Sequence, residues 1–317
     1  MKPTWRRLLG LLVVMSALVL ALSACGGDDD GGGGEATTTA AATETAENRP
    51  PVVIGTKNFT EEFILGELYK QALEAKGFDV ELKSNIGSTE IIDAALTSGE
   101  INFYPEYTGT ALTVVFGEEG SAPTADETYE LAKTKYEERG QTLLAMTPFS
   151  DSDALAVRKD YADEHGLTTI DDLKNVGSFK LGGQPEFRTR TQGLPGLEKN
   201  YGLTGIEFVP FAGISPYEAL DQNNVDVAAI FSTDPPLASG KYVVLEDTKA
   251  QFGFQNVAPV VDQELADALG AEFADTVNAV SAKLTDEAII AMNSAAAIDQ
   301  RPPDEVAAEF LEANGLV

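Results

Sequence analysis

Nucleophile and metal chemistry in proteins leans on cysteine and histidine, and this 317-residue chain has one of each. Cys25 closes the stretch Leu22-Ser23-Ala24-Cys25, and His165 stands in the polar segment YADEHGLTT, where it reads as a solvated helix end. A single cysteine excludes an internal disulfide framework and a Cys-rich metal site, and a single histidine excludes a paired-histidine site. No GxSxG elbow and no Cys/His nucleophile pair is present. Asp151 and Asp153 suggest a pair of catalytic carboxylates, as in glycoside hydrolysis, but two acids so close on one connecting segment give that idea little support. An extracellular hydrolase is therefore the distant alternative. The remaining unusual cluster is INFYPEYTGTAL, residues 101 to 112, where aromatics, a proline and a glutamate crowd against a Thr-Gly-Thr turn. That composition favours an exposed site at Tyr107 over core packing.

The elements around the cluster say where it must sit. VVIG (52–55) reads as a strand, and residues 60–77 read as a helix with apolar residues at 63, 64, 68, 72 and 73 and a glycine stop. FDVELKSN (78–85) alternates as a strand does, STEIIDAALTSG (88–99) is a helix capped by Ser88, and INFY (101–104) is a strand. This alternation predicts an α/β fold with mostly parallel sheets. The pattern then repeats. AALTSGEINFYPEYTG (94–109) matches EALDQNNVDVAAIFST (218–233), with Ile101 and Val225 each six residues before an aromatic, Tyr107 and Phe231. VVIGTKNFTEE and FKLGGQPEFRT match in the same order. Two related lobes are implied. Open parallel sheets bind ligands beyond the carboxyl ends of their strands, so lobes that face each other bring Tyr107 and Phe231 into one cleft. Taken alone, Phe231 would read as core beneath its own loop.

The amino terminus reads as an address. Lys2, Arg6 and Arg7 precede an apolar run from Leu8 to Leu22 that is too short to span a membrane comfortably. With L-S-A-C at its end, residues 1–24 resemble a bacterial lipoprotein signal peptide and Cys25 its lipid acceptor. Residues 25–50 are rich in Gly, Asp, Thr and Ala, with nothing to bury, and predict a flexible tether with a mean reach of ~25–30 Å. No second apolar run approaches a membrane span. The 43% apolar content is enough for a full core in the remainder. A net charge of −29 makes nucleic acid a very poor partner and suits solubility outside the cell.

The segments GTKNFTEEFILGELYKQALEAKGF, GSTEIIDAALTSGEINFYPEYTGTAL, FSTD and NVAPVV resemble the glycine betaine/choline/carnitine substrate-binding proteins of ABC importers, the osmoprotectant-uptake family. The resemblance covers about 51–317. It implies a two-lobed, type II periplasmic-binding-protein fold that closes on its ligand like a hinge. Lobe 1 would be 51–148 plus 256–317 and lobe 2 would be 149–255, with hinges near 148–154 and 252–258. The implied partners are a small zwitterionic or quaternary-ammonium ligand and an ABC permease with its ATPase. The protein would act as a monomer, lipid-anchored outside the cell membrane, without a cofactor.

The resemblance also implies a site. Lys57 matches a lysine that meets a ligand carboxylate, and Tyr107 and Thr110 match a ring wall and a hydroxyl donor. Glu186 and Arg190 match a polar pair from the second lobe; one helical turn apart, they are equally placed to pair with each other. Asp151 matches a polar position in the first crossover, and Phe231 matches an aromatic cage position. Asn58 reads as a helix cap. Two positions depart from the pattern: Asp153 and Gln255 stand where tyrosines are common, and Phe252 or Phe254 is a candidate replacement wall. Acceptors in place of rings favour a ligand with N–H or O–H groups beyond its ammonium and carboxylate, such as a carnitine-like solute or ergothioneine. A simple betaine and an amino acid are the alternatives.

Overall fold

A computed structural model describes residues 49–118 and 122–317. The leader and Cys25 lie outside the described residues, as does all but the end of the tether. The elements run β1 (Val52–Lys57), α1 (Thr60–Ala75), β2 (Val80–Gly87), α2 (Thr89–Thr97), β3 (Phe103–Tyr107), a short turn α3 (Thr108–Thr110), α4 (Ala125–Glu137) and β4 (Gln141–Leu143). They continue with β5 (Asp153–Arg158), α5 (Lys159–His165), β6 (Phe179–Gly183), α6 (Leu194–Tyr201), β7 (Ile206–Pro210), α7 (Pro216–Asp221), β8 (Val227–Phe231) and β9 (Tyr242–Leu245). The chain ends with β10 (Val257–Asp262), α8 (Gln263–Ser281), α9 (Asp286–Ala297) and α10 (Pro303–Asn314).

Among the described residues two five-stranded sheets form, ordered β2-β1-β3-β10-β4 and β7-β6-β8-β5-β9. Each heads one lobe, and the two orders correspond strand for strand, which is the architecture of a two-lobed α/β fold. The expectation of mostly parallel sheets needs correction, because each sheet is mixed. Pairs β1–β2, β1–β3, β6–β7 and β6–β8 are parallel, whereas β10 runs against β3 and β4, and β5 runs against β8 and β9. The physical reason is the path of the chain. It enters the second sheet through β5 and returns to the first through β10, and each entering strand inserts antiparallel to its neighbours. Between the two passages, Ser150 and Asn256 form an isolated antiparallel bridge.

The strand expected at 101–104 lies at Phe103–Tyr107. Pro105 did not end it. The recorded ladder to β1 is confined to Ile54–Phe103, and across β10 the partner of Pro105 is Pro259, so the missing N–H removes no bond from the β1 ladder. The six-residue spacing read in the repeat therefore lands on structurally matching positions. Tyr107 is the last residue of β3, paired with Val257 of β10, and Phe231 is the last residue of β8, paired with Asp153 of β5.

Each lobe has its own core. In the first, α1 buries Ile64, Leu65, Leu68, Tyr69, Ala72 and Leu73 against the sheet and against α8, α9 and α10. Tyr69 meets Phe103 edge-on at 5.4 Å, and Phe103 meets Phe273 likewise at 6.2 Å. In the second, Leu155, Val157, Leu181, Leu197 and Val227 are fully buried. Burying side chains of this size stabilises by roughly 1.5–3 kcal/mol each, so the strand ends that face the other lobe stand on rigid supports. Among the described residues, no helix is long and apolar enough to cross a membrane.

Candidate functional site

A cavity of about 140 Å³ opens between the strand ends of the two sheets. Lys57, Tyr107, Thr110, Asp151, Asp153, Glu186, Arg190, Phe231 and Gln255, the positions singled out from the sequence, all line it. Their states differ from what a sequence can show.

Four rings line the cavity, Phe59, Tyr107, Phe187 and Phe231; three of them stand together, and one of those three was missed. Phe59 lies between Tyr107 and Phe231, with centroids 6.0 Å from the first and 5.3 Å from the second, close to parallel with Phe231. Phe59 belongs to the first lobe and Phe231 to the second, so the stack spans the cleft. Phe59 is extended (φ −142°, ψ 162°) and occupies the N-cap position of α1. Asn58, expected to cap that helix, is exposed, and no side chain caps it; Glu61 and Glu62 occupy the first turn instead. Ser88 does hold the N-cap position of α2, but its hydroxyl donates to Glu90 rather than accepting from the helix. The clue to Phe59 was its place beside Lys57 in GTKNFTEE.

Lys57 is not a free cation waiting in the cleft. Its ammonium donates to the Glu106 carboxylate, with both side chains almost fully buried, and lies 4.6 Å from the centre of the Tyr107 ring. Its backbone N–H donates to Glu62 at 3.0 Å. Burial pushes the Glu62 carboxyl up to about 8, against the pull of the Lys57 charge. Glu106 sits inside the YPEY motif, yet nothing in its spacing identified it as the lysine's partner.

Arg190 corrects another expectation. It does not pair with Glu186. It reaches across to α2 of the first lobe and donates to both carboxylate oxygens of Glu90, at 3.2 and 2.9 Å. Partial burial acts to raise the Glu90 carboxyl, but the hydrogen bonds from Arg190 and Ser88 prevail and hold it at about 2. A bidentate arginine–carboxylate pair is the strong form of this interaction. A ligand anion would meet Arg190 by displacing Glu90, whose side chain is 48% exposed and so has water to return to.

Asp153 faces the cavity and, among the described residues, its carboxylate receives no hydrogen bond. Burial pushes its carboxyl up to about 6, with Arg190 drawing it down and Glu186 raising it further. A donor for it must come from whatever fills the cleft. Asp151, two residues before the start of β5, is already served by the Ser232 hydroxyl at 3.2 Å and the Thr233 N–H at 3.1 Å. Burial raises its carboxyl well above the usual range, and the nearby Glu61 charge adds to the effect.

Gln255 is a brace rather than a waiting acceptor, which corrects its expected role. Its Oε1 accepts from the N–H and the hydroxyl of Thr110 at 2.9 and 3.1 Å, and its Nε2 donates to the Phe252 carbonyl at 2.9 Å. The turn at Thr108-Gly109-Thr110 comes so close that a Cβ on Gly109 would lie 2.5 Å from the Phe254 carbonyl and 2.8 Å from the Gln255 amide. Only glycine allows that approach. A tyrosine at 255 would strip Thr110 of its acceptor, so the cage cannot be completed there by simple substitution. Neither Phe252 nor Phe254 replaces the wall: Phe252 is in the core of the second lobe and Phe254 lines a separate crevice beside Gly109 and Gln251.

The cavity wall thus carries Lys57 and Arg190 against Asp151, Asp153 and Glu186, with the rings concentrated around Tyr107. No group of His, Cys, Asp or Glu among the described residues could hold a metal ion. The arrangement suits holding a small organic cation, with a polar second end, against rings.

Residues 50–313 match the family model described as the substrate binding domain of ABC-type glycine betaine transport system. Over 276 residues the chain is 33% identical to a glycine-betaine-binding protein of Pseudomonas aeruginosa, covering 83% of this chain and 88% of that one. It is 31% identical over 279 residues to the glycine betaine-binding protein YehZ of Escherichia coli, covering 84% and 91%. A solved structure titled as a glycine betaine/carnitine/choline ABC transporter superposes with a TM-score of 0.68 at 26% identity, covering 84% of this chain and 99% of that one.

Proposed function

The chain belongs to the family of substrate-binding domains of ABC-type glycine betaine transport systems, and from that premise we propose that it captures a betaine-type quaternary ammonium solute between its lobes. It is a transport receptor and not an enzyme. The observation that carries the ligand class is the set of rings Phe59, Tyr107 and Phe231, drawn from both lobes onto one cavity. The ligand's ammonium group meets those rings, and its carboxylate turns to Arg190. The filled, closed protein then presents the solute to the permease and its ATPase.

The unpartnered carboxylate of Asp153 supports a finer choice. Glycine betaine has no N–H or O–H to offer it, whereas a carnitine-like hydroxyl or an ergothioneine-like ring N–H does. A zwitterion with such a donor therefore fits better than glycine betaine itself. A simple betaine with Asp153 left to water is the second reading, favoured by the names of the relatives. Residues 148–154 and 252–258 serve as the hinge, supported by the Ser150–Asn256 bridge that ties the two passages together. Cleavage before Cys25 and lipid attachment there would hold a monomer outside the cell membrane on its tether.

X-ray scattering tests the closing receptor. The radius of gyration falls when saturating L-carnitine or glycine betaine is added to the protein, because hinge closure draws the lobes together. A radius unchanged by both solutes contradicts capture by closure.

A further inference from the structure

We propose that Glu61 is the closure latch of the cleft, its carboxyl joining the Tyr107 ring of one lobe to the Thr233 hydroxyl of the other. Glu61 lies in the first turn of α1 and is 4% exposed. The Tyr107 hydroxyl donates to its Oε1 at 2.8 Å. The Thr233 hydroxyl donates to its Oε2 at 2.7 Å, and Asn293 of α9 donates to the same oxygen at 2.8 Å. Glu61 and Thr233 are absent from the cavity wall, so they are positioning residues that act through Tyr107.

The chemistry favours a latch over an incidental contact. Thr233 follows β8 in the second lobe, is 3% exposed, and is fixed from behind by its N–H on Asp151. Glu61 is fixed in the first lobe by Asn293 and Tyr107. The Thr233–Glu61 hydrogen bond is therefore made between two groups already held in place, and little ordering entropy is lost in forming it. Opening the lobes would part it. A buried carboxyl that loses a hydrogen bond costs more than an exposed one, so the closed state is favoured by an interaction absent from the open state. Tyr107 shares that carboxyl. A cation seated on its ring steadies Tyr107, Tyr107 steadies Glu61, and Glu61 meets Thr233 only in the closed cleft. The FSTD and TEE motifs thereby acquire a joint role that neither has alone.

The proposal rests on the reading of the protein as a hinge-closing receptor, and the test separates the two. Cys25→Ser removes the native thiol, and spin labels on cysteines at exposed Glu137 and Lys159 report the distance between lobes. Glycine betaine and L-carnitine are the probes. Thr233→Val keeps the shape of the side chain and removes the hydroxyl. Its closed fraction at saturation falls below wild type, and its dissociation constant rises about tenfold. Thr233→Ser, which keeps the hydroxyl, closes and binds as the wild type does. A Thr233→Val protein that closes as fully as wild type overturns the latch and leaves the receptor reading intact. Failure of both variants alike also overturns it, because the methyl group and not the hydroxyl would then be what matters. A wild-type protein that closes on neither probe overturns the hinge reading, and the latch with it.

Discussion

Phe231→Ala weakens binding of a trimethylammonium solute by roughly ten- to thirtyfold, and Phe231→Tyr binds at least as well as wild type. The expectation follows from the way the second lobe contributes to the cage. Phe231 ends β8, and its ring is stacked on Phe59 of the first lobe at 5.3 Å. Removing it takes away one cation–π partner, worth ~0.5–2 kcal/mol, and also the aromatic contact that joins the lobes, worth ~0.5–1.5 kcal/mol. The side chain is half-buried and its neighbour Asp153 is itself open to the cavity, so the alanine leaves the lobe's core undisturbed. Titration calorimetry measures the effect. Unchanged affinity in Phe231→Ala would mean that the ammonium group sits elsewhere.

Glu106→Leu is expected to destabilise the protein by about 3–5 kcal/mol, seen as a melting temperature lower by about 6–20 °C. Glu106 and Lys57 are almost fully buried and paired with each other. Taking away one member strands the other as an uncompensated charge in the interior, which is far costlier than losing an exposed ion pair. Lys57→Met combined with Glu106→Leu should recover most of the loss, because both charges then leave together. Differential scanning calorimetry of the single and double variants decides. If Lys57 serves chiefly to grip a ligand anion, Glu106→Leu will instead leave the ligand-free melting temperature near wild type and tighten carboxylate binding.

The contrast between Lys57 and Tyr107 shows what the sequence can and cannot disclose. The strand-end place of Tyr107 was legible, because a repeat with fixed spacing puts equal residues at equal strand ends, and backbone periodicity carries that information. Its expected exposure was not met: the side chain is 5% exposed and packs in the core of the first lobe, with one edge on the cavity. The partner of Lys57 was not. Lys57 and Glu106 lie 49 positions apart and meet only because β1 and β3 are neighbours in the sheet. Arg190 failed in the same way. Glu186 lay within helical reach, but the chain forms only a short 3-10 turn at Pro185–Arg188, and the open partner was Glu90, 100 residues away. Gln255 was read by its type, as an acceptor, when its type is what lets it serve Thr110 and Phe252 at once. The mixed sheets were hidden because periodicity gives strands without their direction. Phe59 was overlooked although it sat inside a quoted motif, since a lone aromatic before a helix is commonly core.

If rings at the mouth of β3, β8 and α1 read a positive charge on the solute, affinity must fall when that charge is removed. Calorimetry on the wild-type protein measures this, with glycine betaine and L-carnitine each set against its analogue in which carbon replaces the ammonium nitrogen. Shape and carboxylate are then constant, and only the charge at the rings changes. At least one of the charged solutes is expected to bind about tenfold or more tightly than its neutral partner. Equal binding of the charged and neutral partners, or no binding of either solute, would contradict it.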